Sequence, residues 1–178
     1  MTRRLLTNRV VVDDGKNTVM EMPYSRANLA ALYNRCRKYR TLFNQEIRED
    51  IGVFASIFLD QHSEDLFDAR GIVWVINDLD GMMYMTNIGT DQAIVHFALF
   101  KKQLRENYDL GRKMVKYVFN HYGFQRIGAE VPVYVQPWVF TYVKNLGFID
   151  EGNRRRSVRF DSKYFDMRLF GILKTEVV

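Results

Sequence analysis

Cysteine is almost missing from this chain, with a single residue, Cys36, in 178. A lone thiol excludes an internal disulfide and any cysteine-based metal cluster. It fits a reducing compartment, and its plainest reading is a small apolar residue on a helix. Proline is scarce, at three residues, and no linker-like tract, low-complexity stretch or internal repeat interrupts the chain. Residues 1–178 are therefore expected to form one domain. Long apolar runs are also lacking: nothing approaches the roughly 18 residues needed to span a bilayer. The opening MTRRLLTNRVVVDD has neither a long apolar centre nor a small-residue cleavage site, so no signal peptide is expected. The expectation is a soluble, cytoplasmic protein with no membrane partner. No Ser-His-Asp spacing or Walker loop is found, and His62 and His121 stand far apart without a partner pattern, so no metal site is expected.

What is present is a well-stocked core. Apolar residues make up 47% of the chain and aromatics 14%, which argues for a folded globule. The net charge of +5 comes from 26 basic and 21 acidic residues that are interleaved. Such dispersion reads as a mixed-charge surface or as a site for an anionic ligand. Without a recognition motif, a nucleic-acid partner is not expected.

Periodicity sets the order of elements. Asn8–Val12 and Thr18–Met22 flank the turn Asp13-Asp14-Gly15 and predict a first hairpin. Ser25 suits the N-cap of a helix over Arg26–Tyr39, and Ile47, Ile51, Phe54, Ile57 and Phe58 share one face of a helix over Asn44–Gln61, weakened by Gly52. Asp65–Gly71 reads as a polar connection. Ile72–Ile76, Met82–Ile88 and Ala93–Phe100, joined by tight turns, predict an antiparallel meander. A helix over Tyr108–Tyr122 ends at Gly123. Next come a strand over Arg126–Tyr134, in which Pro132 marks a stop or splay, and a short helix over Gln136–Leu146 closed by Gly147. Ile149–Asp150 leads to Arg154–Phe160, a turn at Asp161–Lys163 and a last strand, Phe165–Leu173.

The stretch Val95–Asn107, VHFALFKKQLREN, resembles the strand-loop-helix of the GNAT N-acetyltransferase superfamily. In that family the loop reads Q/R-x-x-G-x-G/A, and its backbone amides hold the pyrophosphate of acetyl-CoA. Gly123–Ile127 is similar to the family's helix-to-strand joint, and Lys144–Phe148 to its K-x-G-F helix ending. Arg156–Asp166, continuing to Glu176, resembles the final hairpin of the branch that acetylates the alanine or serine N-termini of ribosomal proteins. The resemblance spans Ile72–Glu176 and more loosely the N-terminal helices. It implies an α+β, GNAT-like fold: a mixed central sheet of about six to seven strands, splayed in the middle, with helices on both faces. The loop is degenerate. Lys102 stands at the Q/R position, whereas Arg105 and Asn107 stand where glycines are expected.

The activity implied is direct transfer of an acetyl group from acetyl-CoA to an amine, on a small molecule or a protein N-terminus, by a chain that a homodimer would also suit. The alternative is a GNAT-fold protein that has lost efficient catalysis and serves as an acyl-CoA-binding, interaction or structural module, as in some phage proteins. By resemblance, Phe97, Ala98 and Leu99 line the acetyl arm, and the amide near Leu99 supplies the oxyanion donor. Lys101, Lys102, Arg105, Glu106 and Asn107 form the phosphate loop, and Gln136 stands at the family's frequent asparagine. Amine acetylation needs a base, a stabilised oxyanion and a proton for the thiolate. His96 is the candidate base, Glu130 a carboxylate acting through water, and Tyr134 and Tyr142 candidate acids. Many members place the tyrosine where this chain has Val143, about 100° around the helix from Tyr142. Each candidate has a plain alternative as a packed or solvated side chain.

Overall fold

The computed structural model of the protein describes residues 9–59 and 70–177. Its strands are β1 (Arg9–Asp13), β2 (Thr18–Glu21), β3 (Ile72–Ile76), β4 (Gly81–Thr86), β5 (Gln92–Leu99), β6 (Arg126–Pro132), β7 (Ile149–Phe160) and β8 (Lys163–Leu173). The helices are α1 (Arg26–Cys36), α2 (Gln45–Glu49), α3 (Ile51–Ala55), α4 (Lys102–Glu106), α5 (Tyr108–Tyr122) and α6 (Trp138–Asn145).

Among the described residues all eight strands join one mixed sheet in the order β1-β2-β3-β4-β5-β6-β8-β7. Six to seven were expected. The first hairpin adds to the same sheet because β2 pairs antiparallel with β3, Val19 opposite Ile76 and Met20 opposite Val75. The meander forms as the tight turns predict, Val73 facing Tyr84 and Tyr84 facing His96. Joining β5 to β6 takes a helical crossover, and that pair is parallel.

Strand alternation divides the apolar residues between two cores. Trp74, Met83, Val95 and Leu99 pack against α5 and α6 through Met114, Val118, Tyr142 and Val143. Val73, Val75, Met82, Tyr84 and Ala98 pack on the other face against Leu29, Leu32, Cys36, Phe54 and Phe58. Helices thus cover both faces. Among the described residues none is long and apolar enough to cross a membrane.

Several boundaries differ from the sequence reading. The helix expected over Asn44–Gln61 is two short helices, broken at Asp50, whose backbone is extended (φ −125°, ψ 119°). The Asp50 carboxylate accepts from the amides of Gly52 and Val53 at 2.6 and 3.1 Å, which restarts the chain as α3. Gln61 and most of the expected Asp65–Gly71 connection lie outside the described residues. The helix expected to reach Tyr39 ends at Cys36, and the segment read as a phosphate loop contains the helical turn α4. The two strand pieces Ile149–Asp150 and Arg154–Phe160 are one bulged strand, β7, with register shifts at Asp150/Gly152 and Arg154/Val158. Gly123 closes α5 in the left-handed conformation, φ 73°, as its position predicts.

Candidate active site

The site begins with a failure of pairing. β5 and β6 are registered at only three positions, Gln92–Arg126, Ala93–Ile127 and Ile94–Gly128. Beyond Ile94, β5 stays bonded to β4 as far as Leu99 opposite Gly81, and β6 stays bonded to β8 as far as Pro132 opposite Met167. Each strand follows its antiparallel partner, and the sheet parts between them. The gap opens a cleft of about 450 Å³ that reaches both faces. Trp138, Val139, Tyr142 and Val143 wall it on one face; Tyr39, Phe43, Tyr84 and His96 wall it on the other.

His96, Glu130, Tyr134 and Tyr142, although distant in sequence, all line this cleft. His96 is part-buried, with Nε2 2.9 Å from the Thr86 hydroxyl and its ring stacked on Tyr84 at 4.4 Å. Burial lowers the imidazole to about 4, so it is neutral around pH 7. Glu130 accepts from Arg154 at 3.1 Å. Tyr134 stacks on Phe160 at 4.3 Å, and burial, then the Asp161 carboxylate, raises its hydroxyl. Tyr142 is buried edge-on to Phe97 at 5.8 Å, and burial, then Tyr108, raises its hydroxyl.

Ala98 and Leu99 are buried on opposite faces of β5, and Gln136 is exposed at the rim of the cleft. The basic segment after β5 is arranged by its own contacts. The amides of Phe100 and Lys101 both donate to the Asp80 carbonyl, at 3.0 and 3.2 Å. Lys101 lies 3.9 Å from the half-buried Asp80 carboxylate, and Lys102 pairs with Glu106 at 3.5 Å; both lysines are largely solvent-facing. Arg105 alone of these cations lines the cleft. Its Nε donates to the Leu99 carbonyl at 3.0 Å, and its guanidinium lies 4.7 Å from the centre of the Trp138 ring. Asn107 caps α5 by accepting from the Leu110 amide at 3.1 Å, while its own amide donates to Asp14 at 2.8 Å. Burial would raise the Asp14 carboxyl, but hydrogen bonds from Asn107, Lys16 and Asn17 outweigh it and hold it at about 2.

Sequence reasoning missed Tyr39, Phe43 and Tyr84 as cleft walls and Trp138 as the platform for Arg105, because only long-range packing brings them there. It also missed Gly111. A Cβ there would lie 2.5 Å from Leu146 Cδ2 and 2.6 Å from the Tyr142 hydroxyl, so the glycine lets α6 and α5 approach. A glycine inside an otherwise regular helix was the available signal. Among the described residues no group of three or more His, Cys, Asp or Glu is placed to hold a metal ion.

No protein-family profile matches the chain, and no curated protein sequence does. Solved structures do. A Vibrio cholerae spermidine N-acetyltransferase in complex with CoA and spermine superposes at TM-score 0.70 and 16% identity, over 89% of this chain and 97% of that one. A probable acetyltransferase superposes at 0.63 and 18%, over 96% and 98%. Mycobacterium smegmatis RimJ in complex with CoA-disulfide superposes at 0.66 and 16%, over 90% and 84%. At this identity the likeness is one of fold: the chain has the architecture of the GNAT N-acetyltransferases.

Proposed function

We propose that the protein is an acetyl-CoA-dependent N-acetyltransferase, one domain over residues 1–178, that moves an acetyl group directly to an amine of a small molecule or a protein N-terminus. The observation that carries this reading is the parted sheet. A cleft open to both faces lets a thioester enter from the α6 side and an amine from the Phe43 side, so the two meet without crossing each other. In this reading the amine lone pair forms a bond to the thioester carbonyl carbon. The C–S bond then breaks, the thiolate takes a proton, and the proton of the ammonium leaves to water.

The residues divide this work as follows. Phe97 and Leu99 flank the acetyl arm, with the backbone amide near Leu99 as oxyanion donor. Arg105 takes over from the absent glycines: Nε is held by Leu99 and the guanidinium plane by the Trp138 ring, which leaves the outer guanidinium nitrogens to meet a phosphate. Lys101, Lys102 and the Asn107-capped start of α5 add positive potential near it, opposed by the carboxylates of Glu106 and Asp14. Gln136 binds at the rim. A base whose conjugate acid lies at about 4 is a weak match for an ammonium. His96 therefore acts as a neutral hydrogen-bonding wall, and Glu130 carries the proton away through water. Tyr134 or Tyr142 protonates the thiolate.

A second reading, an acyl-CoA-binding or interaction module without turnover, is favoured by one observation: a helical turn, α4, stands in place of the glycine loop. One experiment separates the two. Acetyl-CoA binding measured by calorimetry, followed by thiol release with a panel of amines, gives binding and turnover for the enzyme and binding alone for the module. Failure to bind acetyl-CoA removes the transferase reading.

A further inference from the structure

The acceptor half of the cleft has a composition that selects its amine. Resting on the acetyl-transfer reading, we infer that the acceptor is a monoamine with an apolar, aromatic-sized body, and not a polyamine. The walls on that side are Phe43, Ile47, Tyr84, Tyr134, Val158 and Met167. They are also braced: Phe43 packs edge-on against Phe54 at 5.6 Å, and Tyr134 is clamped between Phe160 and Phe165 at 4.3 and 5.2 Å. Rings held in this way form a rigid surface that an apolar body covers at little entropic cost.

Charge decides against a polycation. Among the described residues one carboxylate lines the cleft, Glu130, and it already accepts from Arg154. The other charged side chains lining it are Arg105 and Arg159, both cationic. A polyamine would bring several ammonium groups to a wall whose described residues offer one partnered carboxylate and a like-charged neighbour. Each unmatched ammonium would lose hydration without a partner. An apolar monoamine brings one, next to the parted strands, where Glu130 stands.

The same lining helps the chemistry. An ammonium moved from water to an apolar wall becomes easier to deprotonate, because burial disfavours its charged form. The neutral nucleophile is then populated without a strong base, which agrees with a His96 that is held neutral and already bonded to Thr86.

The test is a binding comparison that does not need turnover. Affinities of 2-phenylethylamine and spermidine are measured by calorimetry or saturation-transfer NMR, with and without CoA. The expected result is 2-phenylethylamine tighter by about tenfold or more. Phe43→Ala should weaken it about tenfold while leaving acetyl-CoA affinity unchanged. Ile47→Glu adds a carboxylate at a position in the first turn of α2, where an acidic residue suits a helix, and should shift the preference towards spermidine. A parent protein that binds spermidine as tightly as 2-phenylethylamine, or an Ile47→Glu variant that keeps the parent's ranking, overturns the inference. If acetyl-CoA fails to bind while the amine ranking holds, the transferase reading falls and the apolar amine site stands.

Discussion

At the residue scale, Arg105 is where sequence and structure meet most informatively. It stands where the resemblance expects a glycine, and its contacts with the Leu99 carbonyl and the Trp138 ring are what the proposed phosphate role rests on. Arg105→Glu should weaken acetyl-CoA binding by about tenfold or more, since it removes a guanidinium and adds like charge beside phosphate. Unchanged affinity by calorimetry would sink that assignment. His96 makes a different prediction. Its proton binds at about 4 in the folded chain against 6.5 for an ordinary imidazole, so the unfolded chain takes up the proton first as pH falls. Its contribution to stability is therefore full above about 6.5 and is lost as pH falls towards about 4. Denaturant unfolding at about pH 7.5 and about pH 5 should show a smaller loss for His96→Gln than for the parent; equal losses would refute it. The sequence marked both residues as candidates by position in a pattern. It was silent on Thr86 and Tyr84 and on the contact of Trp138 with Arg105, because the side chains that tune a group come from other elements.

At the element scale, hydrophobic period was a good guide to existence and a poorer one to continuity. The stripe Ile47, Ile51, Phe54, Phe58 reads as one helix, yet Asp50 turns its carboxylate onto two amides and interrupts it. Local side-chain capture of backbone donors outcompetes propagation over so short a run. Asp50→Ala should cost about 1 kcal/mol in chemical denaturation by removing the cap of α3. Tighter packing is at stake where α5 meets α6. Gly111→Ala should destabilise by about 1–3 kcal/mol, because its Cβ collides with Leu146 and Tyr142. Trimming Leu146 to Ala in the same chain should recover part of that loss, and strict additivity of the two changes would mean that they do not touch. The helix over Tyr108–Tyr122 was legible at both ends, since Gly123 supplies the left-handed residue that closes it.

At the scale of the whole molecule, the decisive feature is the point where a continuous sheet stops being one. β5 and β6 are held by different antiparallel partners, so the space between them is a consequence of strand order and not of any one residue. A thioester seated there, as proposed, would touch β5, β6, Arg105 of α4 and α6 together, and binding should stabilise the entire fold. Acetyl-CoA at 100 times its dissociation constant should add about 2.7 kcal/mol of stability. No shift in melting temperature at such an excess would argue against a cleft built for it.

The sequence by itself determined the order of the strands and of the longer helices, the two-faced burial of the central strands and the chemical types available beside β5. These depend on local period, turn residues and neighbours close along the chain. Tertiary structure alone decided that the first hairpin extends the sheet, that Asp14 reaches Asn107 and Arg105 lies against Trp138, and that aromatic rings from four separate regions face one cleft. Those contacts join residues far apart in sequence, and only the register and divergence of whole strands bring them within reach.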